Sequence, residues 1–368
     1  MRKGWEYKKW KEVLTIINGK NQSAVVDANG EYPIYGSGGI MGYANNWLCP
    51  ENCVIIGRKG NINKPIFVET KFWNVDTAFG LNANIEYLLP RFLFYFCLDY
   101  NFERHNKAVT IPSLTKADLL KIAIPLPPLS TQLSIVSELD KINELIRLKK
   151  EQLKDFDNLA QSIFYEMFGD PVENEKGWEV KKLKDIVSDN CSISYGIVQP
   201  GDGVENGVPV VRPVDMTKTF VSRKGLKNTT KEISESYKRT ILKGNEILMC
   251  VRGTTGLISM ATPELQGCNV TRGITPIECG PTCYKWFIFY QILNPAIQHH
   301  IAEYTKGIAL KQINMKDVRD IPLCLPPLPL QHLFAQRIEQ IEHQKAEVQK
   351  SITDLETLLA SRMQYWFE

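Results

Sequence analysis

The chain of 368 residues contains the same pair of sequence motifs twice. Residues 4–13, Gly-Trp-Glu-Tyr-Lys-Lys-Trp-Lys-Glu-Val, return 173 positions later at 177–186 as Gly-Trp-Glu-Val-Lys-Lys-Leu-Lys-Asp-Ile. The motif Leu-Pro-Pro-Leu at 126–129 returns 199 positions later at 325–328. Both ends of the unit are therefore kept, while the interior of the second copy is 26 residues longer. A repeat of this size predicts two similar domains, and their divergent interiors predict that each domain recognises something different.

Composition is ordinary for a globular protein, with 43% hydrophobic and 23% charged residues, and the length suits two or three domains. The formal net charge is only +3, so any binding to nucleic acid would depend on where basic residues cluster. No apolar run reaches the length of about 18 residues that marks a membrane span, and the first residues lack an apolar signal-peptide core. We therefore expect a cytoplasmic protein without membrane contact.

The nine cysteines form an odd number, and most of them, such as Cys97, stand in apolar surroundings. This predicts reduced, buried thiols and not a disulfide framework. Two pairs, Cys49 with Cys53 and Cys279 with Cys283, have a spacing that invites a zinc hypothesis. The pairs do not occupy equivalent places in the repeat, and no histidine or second close pair completes a set of four ligands nearby. We expect no metal site.

Residues 1–129 and 169–328 are predicted to form two mixed domains with more strand than helix. Short β-rich runs alternate with turns of glycine and asparagine in both of them. Residues 246–253 of the second domain stand where 53–60 stand in the first. A helix is expected at 89–101, where apolar residues crowd one segment.

Each domain is followed by a long helix, at 130–168 and at 329–368. Apolar residues on both helices alternate in steps of four and three over about five heptads, which is a coiled-coil register. Lys149 and Lys345 each interrupt this seam, and we predict that Lys149→Leu keeps or raises stability, because a polar seam residue costs stability. The predicted seam residues are Ile135, Leu139, Ile142, Ile146, Leu153, Phe156, Phe334, Ile338, Ile341, Val348, Ile352 and Leu355.

Connectivity predicts that the two helices run antiparallel. Only residues 169–171 separate the first helix from the second domain, so this domain should lie at the far end of that helix. The second helix must then run back to bury its apolar stripe on the first. The predicted fold class is therefore α+β: two mixed, strand-rich domains joined by two long helices that form an antiparallel coiled coil, with a pseudo-two-fold internal repeat. A helix of ~37 residues would be ~55 Å long.

No segment of the sequence makes a convincing catalytic centre. Residues 36–42 resemble a dinucleotide-binding loop but lack a required glycine and a following helix. Residues 69–71 have the Glu-x-Lys spacing of many nucleases without the upstream aspartate. Residues 294–297 lack the second proline and the aromatic residue of an amino-methyltransferase tetrad. His105 and His299 have no evident nucleophile as partner. We expect no catalytic residues in this chain.

Basic, polar and glycine-rich turns stand at corresponding places in the two domains, and such residues can contact DNA. Arginine forks onto guanine, asparagine or glutamine pairs with adenine, and glycine lets the backbone approach phosphates. A basic residue in a turn is more often only solvated, and it is the recurrence in both domains that favours DNA contact. The candidate DNA-binding residues are Tyr35, Ser37, Arg58, Lys59, Asn61, Lys107, Thr110, Ser113, Gln199, Arg212, Arg252, Thr254, Thr255, Arg272, Lys306, Lys311 and Gln312.

The block before each long helix also resembles a known family. Residues 110–114 (Thr-Ile-Pro-Ser-Leu) are followed after eleven residues by 126–129 and then by Gln132, which resembles the conserved block of type I restriction–modification specificity subunits. Residues 32–42 are similar to a loop common in the target-recognition domains of that family. The resemblance covers essentially the whole chain. The second copy of the block consists of 310–313, 325–328 and Gln331.

The resemblance implies a division of labour. One specificity subunit would carry two target-recognition domains, each of which reads half of a split sequence in double-stranded DNA. Two copies of a modification methyltransferase subunit would dock on it and methylate adenine N6 with S-adenosylmethionine, so the chain itself would hold no cofactor. Endonuclease and translocase subunits would join where the system cleaves. Two alternatives stay open: a type II-like methyltransferase system without cleavage, and a structural caliper that joins two proteins without DNA.

The predicted pseudo-two-fold axis also constrains the target. Two half-sites of opposite strand polarity are expected, with centres about 10–11 base pairs apart and an unread spacer between them. Because the two domains differ, the complete site should be asymmetric.

Overall fold

The chain forms two compact units in the computed structural model. Unit 1 consists of Met1–Glu151 and Gln349–Glu368, and unit 2 consists of Gln152–Val348. The division cuts both long helices, so each unit contains a part of each of them, whereas the sequence predicts segments of their own for these helices. The structure describes residues 5–106, 110–307 and 310–367.

Unit 1 contains three sheets, of four strands (β2-β8-β5-β6), three strands (β4-β3-β7) and two strands (β1-β9). Its strands are β1 (Glu6–Lys9), β2 (Leu14–Asn18), β3 (Tyr32–Gly36), β4 (Gly39–Ala44), β5 (Cys53–Gly57), β6 (Ile66–Val68), β7 (Trp73–Asn74), β8 (Ala78–Ala83) and β9 (Ala123–Leu126). Its helices are α1 (Trp10–Val13), α2 (Pro90–Asp99), α3 (Lys116–Leu119) and the first part of α4 (Leu129–Phe168), with a 3-10 turn at Phe102–His105.

Unit 2 contains the sheets β12-β11-β15, β14-β13-β16 and β10-β17. Its strands are β10 (Glu179–Lys182), β11 (Val208–Val211), β12 (Lys227–Thr229), β13 (Ile247–Cys250), β14 (Ile258–Met260), β15 (Asn269–Val270), β16 (Ile274–Ile277) and β17 (Pro322–Leu325). Its helices are α5 (Lys231–Ser236), α6 (Lys285–Leu293), α7 (Pro295–Glu303), α8 (Met315–Arg319) and the first part of α9 (Leu328–Phe367), whose last part belongs to unit 1. Its 3-10 turns are Leu183–Asp185, Pro213–Asp215, Lys238–Thr240 and Pro263–Leu265.

In each unit the first repeated motif forms an antiparallel ladder with the strand that leads into the proline motif. In unit 1, β1 pairs with β9, so that Glu6 lies opposite Leu126. In unit 2, β10 pairs with β17 in the same register, with Glu179 opposite Leu325. The start and the end of each repeat therefore lie side by side and close the unit. This explains why both ends of the repeat are kept while the interior differs.

The core of unit 1 is built on β5, all of whose residues are buried. Helix α2 begins at Pro90, a position where the missing N–H of proline costs no helical hydrogen bond. It packs Phe96 against the fully buried Trp10, whose ring also contacts Phe102 edge-on at 6.1 Å between centroids. Aromatic side chains bury roughly 150–250 Å² each, so this cluster contributes a large share of the apolar core.

Within unit 1, the parts of α4 and α9 run antiparallel. Glu138 of α4 accepts hydrogen bonds from Arg362 of α9 and from Nε1 of Trp366, the latter at 3.1 Å. Further along, Lys150 Nζ lies 2.8 Å from Glu356 Oε1. Residue numbers rise on α4 as they fall on α9, which defines the antiparallel direction.

The parts of α4 and α9 in unit 2 are also antiparallel. Lys345 of α9 makes an ion pair with Asp157 of α4 at 2.8 Å. The ring of Phe334, near the start of α9, lies 5.7 Å from Phe164 and 5.3 Å from Phe168, near the end of α4. Phe287 of α6 stacks on Phe164 at 5.7 Å, so this aromatic cluster attaches the helix pair to the remainder of unit 2.

Both long helices begin one residue earlier than predicted, at Leu129 and Leu328, because each proline motif extends directly into the first turn. Within the part of the chain that the structure describes, no helix is both long and apolar enough to cross a membrane.

The apolar positions predicted for the helix seam are buried to different degrees. Nine predicted seam residues are buried, namely Ile135, Leu139, Ile142, Ile146, Phe334, Ile338, Ile341, Val348 and Ile352. Three are half-buried, namely Leu153, Phe156 and Leu355.

Candidate nucleic-acid interface

A short backbone ladder at the end of β5 brings together two sequence segments of unit 1. The N–H of Leu114 donates to the carbonyl of Arg58 at 2.9 Å, and the N–H of Gly60 donates to that of Pro112 at 3.0 Å. Lys59 and Ser113 are therefore direct antiparallel partners. Paired residues project from the same face of a ladder, so the exposed ammonium of Lys59 and the hydroxyl of Ser113 share one surface.

The hairpin formed by β3 and β4 reaches the same place. A Cβ atom on Gly60 would lie 3.7 Å from Ser37 Oγ, and one on Gly38 would lie 3.7 Å from Asn61 Nδ2. Residues 36–42, which resemble a dinucleotide loop in sequence, therefore form the tip and second strand of a hairpin. Ser37 therefore lies beside Gly60 and Asn61 beside Gly38, next to the ladder of Lys59 and Ser113.

Two of the candidate residues in unit 1 have structural contacts of their own. Tyr35 packs edge-on against Phe72 at 5.6 Å between ring centroids, and burial raises the pKa of its hydroxyl. Arg58 Nη1 donates to the carbonyl oxygen of Asp76 at 3.4 Å. Thr110 is exposed. Lys107 lies outside the described residues.

Unit 2 contains an equivalent ladder at the end of β13. The N–H of Ile313 donates to the carbonyl of Val251 at 3.0 Å, and the N–H of Gly253 donates to that of Lys311 at 2.8 Å. Arg252 and Gln312 are consequently antiparallel partners, as Lys59 and Ser113 are in unit 1. This ladder has a further strand in unit 2, because Gln312 also pairs with Lys306.

Lys306 and Gln312 form both backbone hydrogen bonds of an antiparallel pair. The N–H of each residue donates to the carbonyl of the other at 2.8 Å. Lys306, Gln312 and Arg252 therefore occupy adjacent positions in one row across three backbone segments. Lys306 is exposed, and the other two residues are half-buried.

Three polar residues support these ladders but were not identified from the sequence. In unit 1, Asn106 Oδ1 accepts from the N–H of Ser113 at 3.0 Å. In unit 2, Gln312 Nε2 donates to the hydroxyl of Tyr195 at 3.2 Å, and Thr305 Oγ1 bonds to Thr255 Oγ1 at 3.1 Å. Asn106 and Thr305 stand close to candidate residues in the sequence, so their polar side chains could have marked them as candidates too. The sequence gives no such sign for Tyr195, because 117 positions separate it from its partner Gln312.

Among the remaining candidates in unit 2, Arg272 lies close to this ladder. The backbone N–H of Arg272 donates to the carbonyl of Ile197 at 2.7 Å, and a Cβ on Gly273 would lie 3.6 Å from the carbonyl oxygen of Arg252. Gln199 and Thr254 are exposed. These contacts place Arg272 near the row, while Gln199 follows the strand-like segment at Ile197.

Arg212 has an internal partner, Asp215, three residues further along the chain. Its guanidinium donates to both oxygens of Asp215, at 2.8 and 3.0 Å, and this hydrogen bonding raises the pKa of Arg212. A guanidinium held in this way has fewer donors available for guanine. The ion pair with Asp215 makes Arg212 a weaker candidate than Arg252, which forms no ion pair among the described residues.

The cysteine pairs do not form metal centres in the described part of the chain. No group of three or more histidine, cysteine or acidic side chains there could hold a metal ion. All nine cysteines are free, and burial raises the pKa of Cys53 to about 12. A thiol with such a pKa stays protonated near neutral pH and packs as a small apolar side chain.

The sequence matches the family model described as "Type I restriction modification DNA specificity domain" over residues 2–155 and 175–357. The chain is 24% identical over 337 residues to the type I restriction enzyme EcoBI specificity subunit of Escherichia coli, covering 84% of this chain and 70% of that protein. It is 22% identical to the MjaVIII specificity subunit of Methanocaldococcus jannaschii, covering 96% of this chain and 92% of the relative.

The fold is similar to that of a solved structure, the S subunit of a type I restriction–modification system from M. genitalium. The TM-score is 0.59 at 15% sequence identity, and the match covers 99% of this chain and 96% of that one. A second solved chain, from a study of complex assembly and conformational transition of the type I system, has the same TM-score at 18% identity. It covers 99% of this chain and 97% of the solved one.

Proposed function

Because the chain belongs to the type I restriction–modification DNA specificity family, we propose that it reads a split, asymmetric DNA sequence, one half with each unit. The observation that carries this proposal is the ladder that recurs in both units. It pairs a basic residue with a polar one each time, Lys59 with Ser113 and Arg252 with Gln312. The side chains differ at equivalent positions, so the two half-sites should differ.

Cations around each ladder would supply the general attraction to DNA. Lys59, Lys306 and Lys311 are exposed, and Thr110 offers a hydroxyl. Contacts of this kind to phosphates release counterions, so binding should weaken linearly in log salt. The arginine and glutamine of unit 2 can instead recognise base edges in the major groove.

A type I specificity subunit is a non-catalytic subunit for DNA recognition, so the chemistry belongs to its partners. We propose that two copies of a methyltransferase subunit bind to the long helices, hold S-adenosylmethionine and methylate adenine N6. Exposed leucines on these helices support such binding. Leu133 is 61% exposed and Leu145 is 47% exposed in unit 1, and Leu333 is 42% exposed in unit 2. Endonuclease subunits would join in a system that cleaves.

Selection from a random duplex library, performed with the chain and its methyltransferase partner, tests this proposal. We expect an enriched motif with two unlike halves and an unread spacer, and an affinity that falls as salt rises. The chain alone should transfer no methyl group, whereas addition of the partner should produce methyladenine within the motif. Recovery of no motif, or methylation by the highly purified chain alone, would contradict the proposal.

A further inference from the structure

The row formed by Lys306, Gln312 and Arg252 in unit 2 has a geometry that suits the edges of neighbouring bases. Adjacent strands lie about 4.8 Å apart, and direct partners project to the same face of a ladder. Successive base pairs rise by about 3.4 Å. Neighbouring members of the row can therefore reach neighbouring base pairs, while Lys311, next to Gln312 in the chain, projects to the opposite face.

The side-chain amide of Gln312 is held in one orientation. Its Nε2 donates to the hydroxyl of Tyr195 at 3.2 Å. Tyr195 is half-buried and packs against the core of unit 2, so its ring provides a fixed support. One hydrogen on Nε2 and the whole of Oε1 remain for a ligand. Those are the donor and the acceptor that adenine N7 and N6 require.

The cations on either side of Gln312 are available for a ligand. Within the described residues, neither Arg252 nor Lys306 forms an ion pair, whereas Arg212 is held by Asp215. The backbone of Arg252 is fixed by its place in the ladder, and its guanidinium presents parallel donors that match guanine O6 and N7. Lys306 carries a point charge better suited to a phosphate.

We propose that Arg252 and Gln312 read two adjacent purines in the half-site of unit 2, guanine by Arg252 and adenine by Gln312. Tyr195 is a positioning residue that orients the amide of Gln312, and Lys306 anchors the neighbouring phosphate. This assignment rests on the proposed function and adds to it the base type and the residue that reads each base.

The test is library selection with the full chain and its methyltransferase partner, using random duplex DNA and comparing variants. Gln312→Ala should remove the preference for adenine at one position, by about tenfold to a hundredfold in relative enrichment. Tyr195→Phe, which keeps the ring, should weaken the preference at that same position only. Arg252→Ala should remove a guanine preference at the adjacent position. The half-site of unit 1 should stay unchanged in all three variants.

Lys316→Ala is the control. It removes a lysine charge from α8, outside the ladder, and should keep both the base preference and the affinity of the wild type. Thermal unfolding of each variant shows whether the fold is intact. If Tyr195→Phe fails to fold, Gln312→Asn replaces it, since a shorter amide should lose the adenine preference while the hydroxyl remains.

The outcomes separate this inference from the proposed function. A wild type that selects no motif contradicts the proposed function itself. A wild type that selects a motif, with Gln312→Ala weakening all sequences alike, would show that Gln312 contacts phosphate and would overturn the assignment. Loss of adenine preference in Gln312→Ala but not in folded Tyr195→Phe would overturn the positioning role of Tyr195.

Discussion

The side-chain oxygen of Gln132, on α4, accepts a hydrogen bond from the backbone N–H of Leu89 at 2.9 Å, at the start of α2. Its Nε2 donates to the carbonyls of Tyr87 and Pro127, at 2.8 and 3.0 Å. Gln331 makes the equivalent bond to the N–H of Tyr284 at 3.0 Å, at the start of α6. One fully buried amide in each unit thus joins the long helix, the proline motif and the start of a shorter helix.

Replacing this glutamine should destabilise the protein. Gln132→Ala leaves the buried carbonyl of Pro127, the part-buried carbonyl of Tyr87 and the part-buried N–H of Leu89 without their partner, which should lower the free energy of unfolding by about 1–3 kcal/mol. Denaturant unfolding monitored by circular dichroism measures the change. Gln336→Ala, at an exposed position of α9, is the control and should change stability by less than about 0.5 kcal/mol. Equal stabilities for the two variants would show that the Gln132 bonds contribute nothing.

Glu138 should make the stability of unit 1 depend on pH. The hydrogen bond from Arg362 holds the pKa of the Glu138 carboxyl below its ordinary value. Its contribution is therefore present above the unfolded pKa of about 4.3 and is lost as pH falls through the lower folded pKa. Glu138→Gln should lower the melting temperature at pH 7, and the difference from wild type should shrink below about pH 4.

The control for Glu138 is Glu347→Gln, which changes an exposed carboxylate of α9. This variant should show no comparable difference at neutral pH, since surface charges contribute little to stability. A Glu138→Gln deficit that is equally large at pH 3 and pH 7 would indicate a packing defect and not the loss of a charged hydrogen bond.

Lys345 is a seam lysine that cannot be replaced by an apolar residue without cost. Its side chain is 15% exposed and its ammonium contacts Asp157 at 2.8 Å and Glu342 at 2.7 Å, while the side chain of Glu342 is only 9% exposed. Burial lowers the pKa of Lys345, but these two hydrogen bonds outweigh it and the pKa is raised. Lys345→Leu should destabilise by roughly 3 kcal/mol because it leaves a buried carboxylate unpaired.

Lys350→Leu is the matched control, since Lys350 is exposed on the same helix. Its effect on denaturant unfolding should stay within about 0.5 kcal/mol. If Lys345→Leu equals this control or raises stability, the ion pairs with Asp157 and Glu342 do not stabilise the seam. Lys149→Leu remains predicted to keep or raise stability.

Gly307 should be required for recognition by unit 2. Its φ is +105°, and a Cβ added there would lie 2.3 Å from the carbonyl oxygen of Leu310. Gly307→Ala should strain the backbone next to Lys306 and lower selection at the half-site of unit 2. Library selection measures this effect. Gly203→Ala, where the nearest atom lies 3.9 Å away, should leave selection intact; equal behaviour of the two variants would refute the role of Gly307.

The repeat and the long helices could be predicted from the sequence because their causes are local. Proline motifs and heptad spacing place the helix starts within one residue, at Leu129 and Leu328. The burial of individual side chains is harder to predict from the sequence. Phe164, which was not among the predicted seam residues, is only 2% exposed, because Phe287 and Phe334 contact it from distant parts of the chain.

The candidate site shows the same limit. The equivalence of Lys59 with Arg252 follows from alignment of the repeats, but their pairing with Ser113 and Gln312 depends on long-range ladders. Tyr195 could not be identified, because only the fold brings it to Gln312. The internal partner of Arg212 was detectable, since Asp215 follows it by three residues, a spacing at which oppositely charged side chains often pair.

The most direct test of the central claim is methylation mapping in a cell that expresses the chain with its methyltransferase partner. Single-molecule sequencing of the host DNA should show methyladenine in one split motif with two unlike halves. Expression of Arg252→Ala should change or relax only one half, and Lys59→Ala only the other. Methylation of a palindromic or continuous motif, or a change in both halves caused by either variant, would contradict recognition of one half-site by each unit.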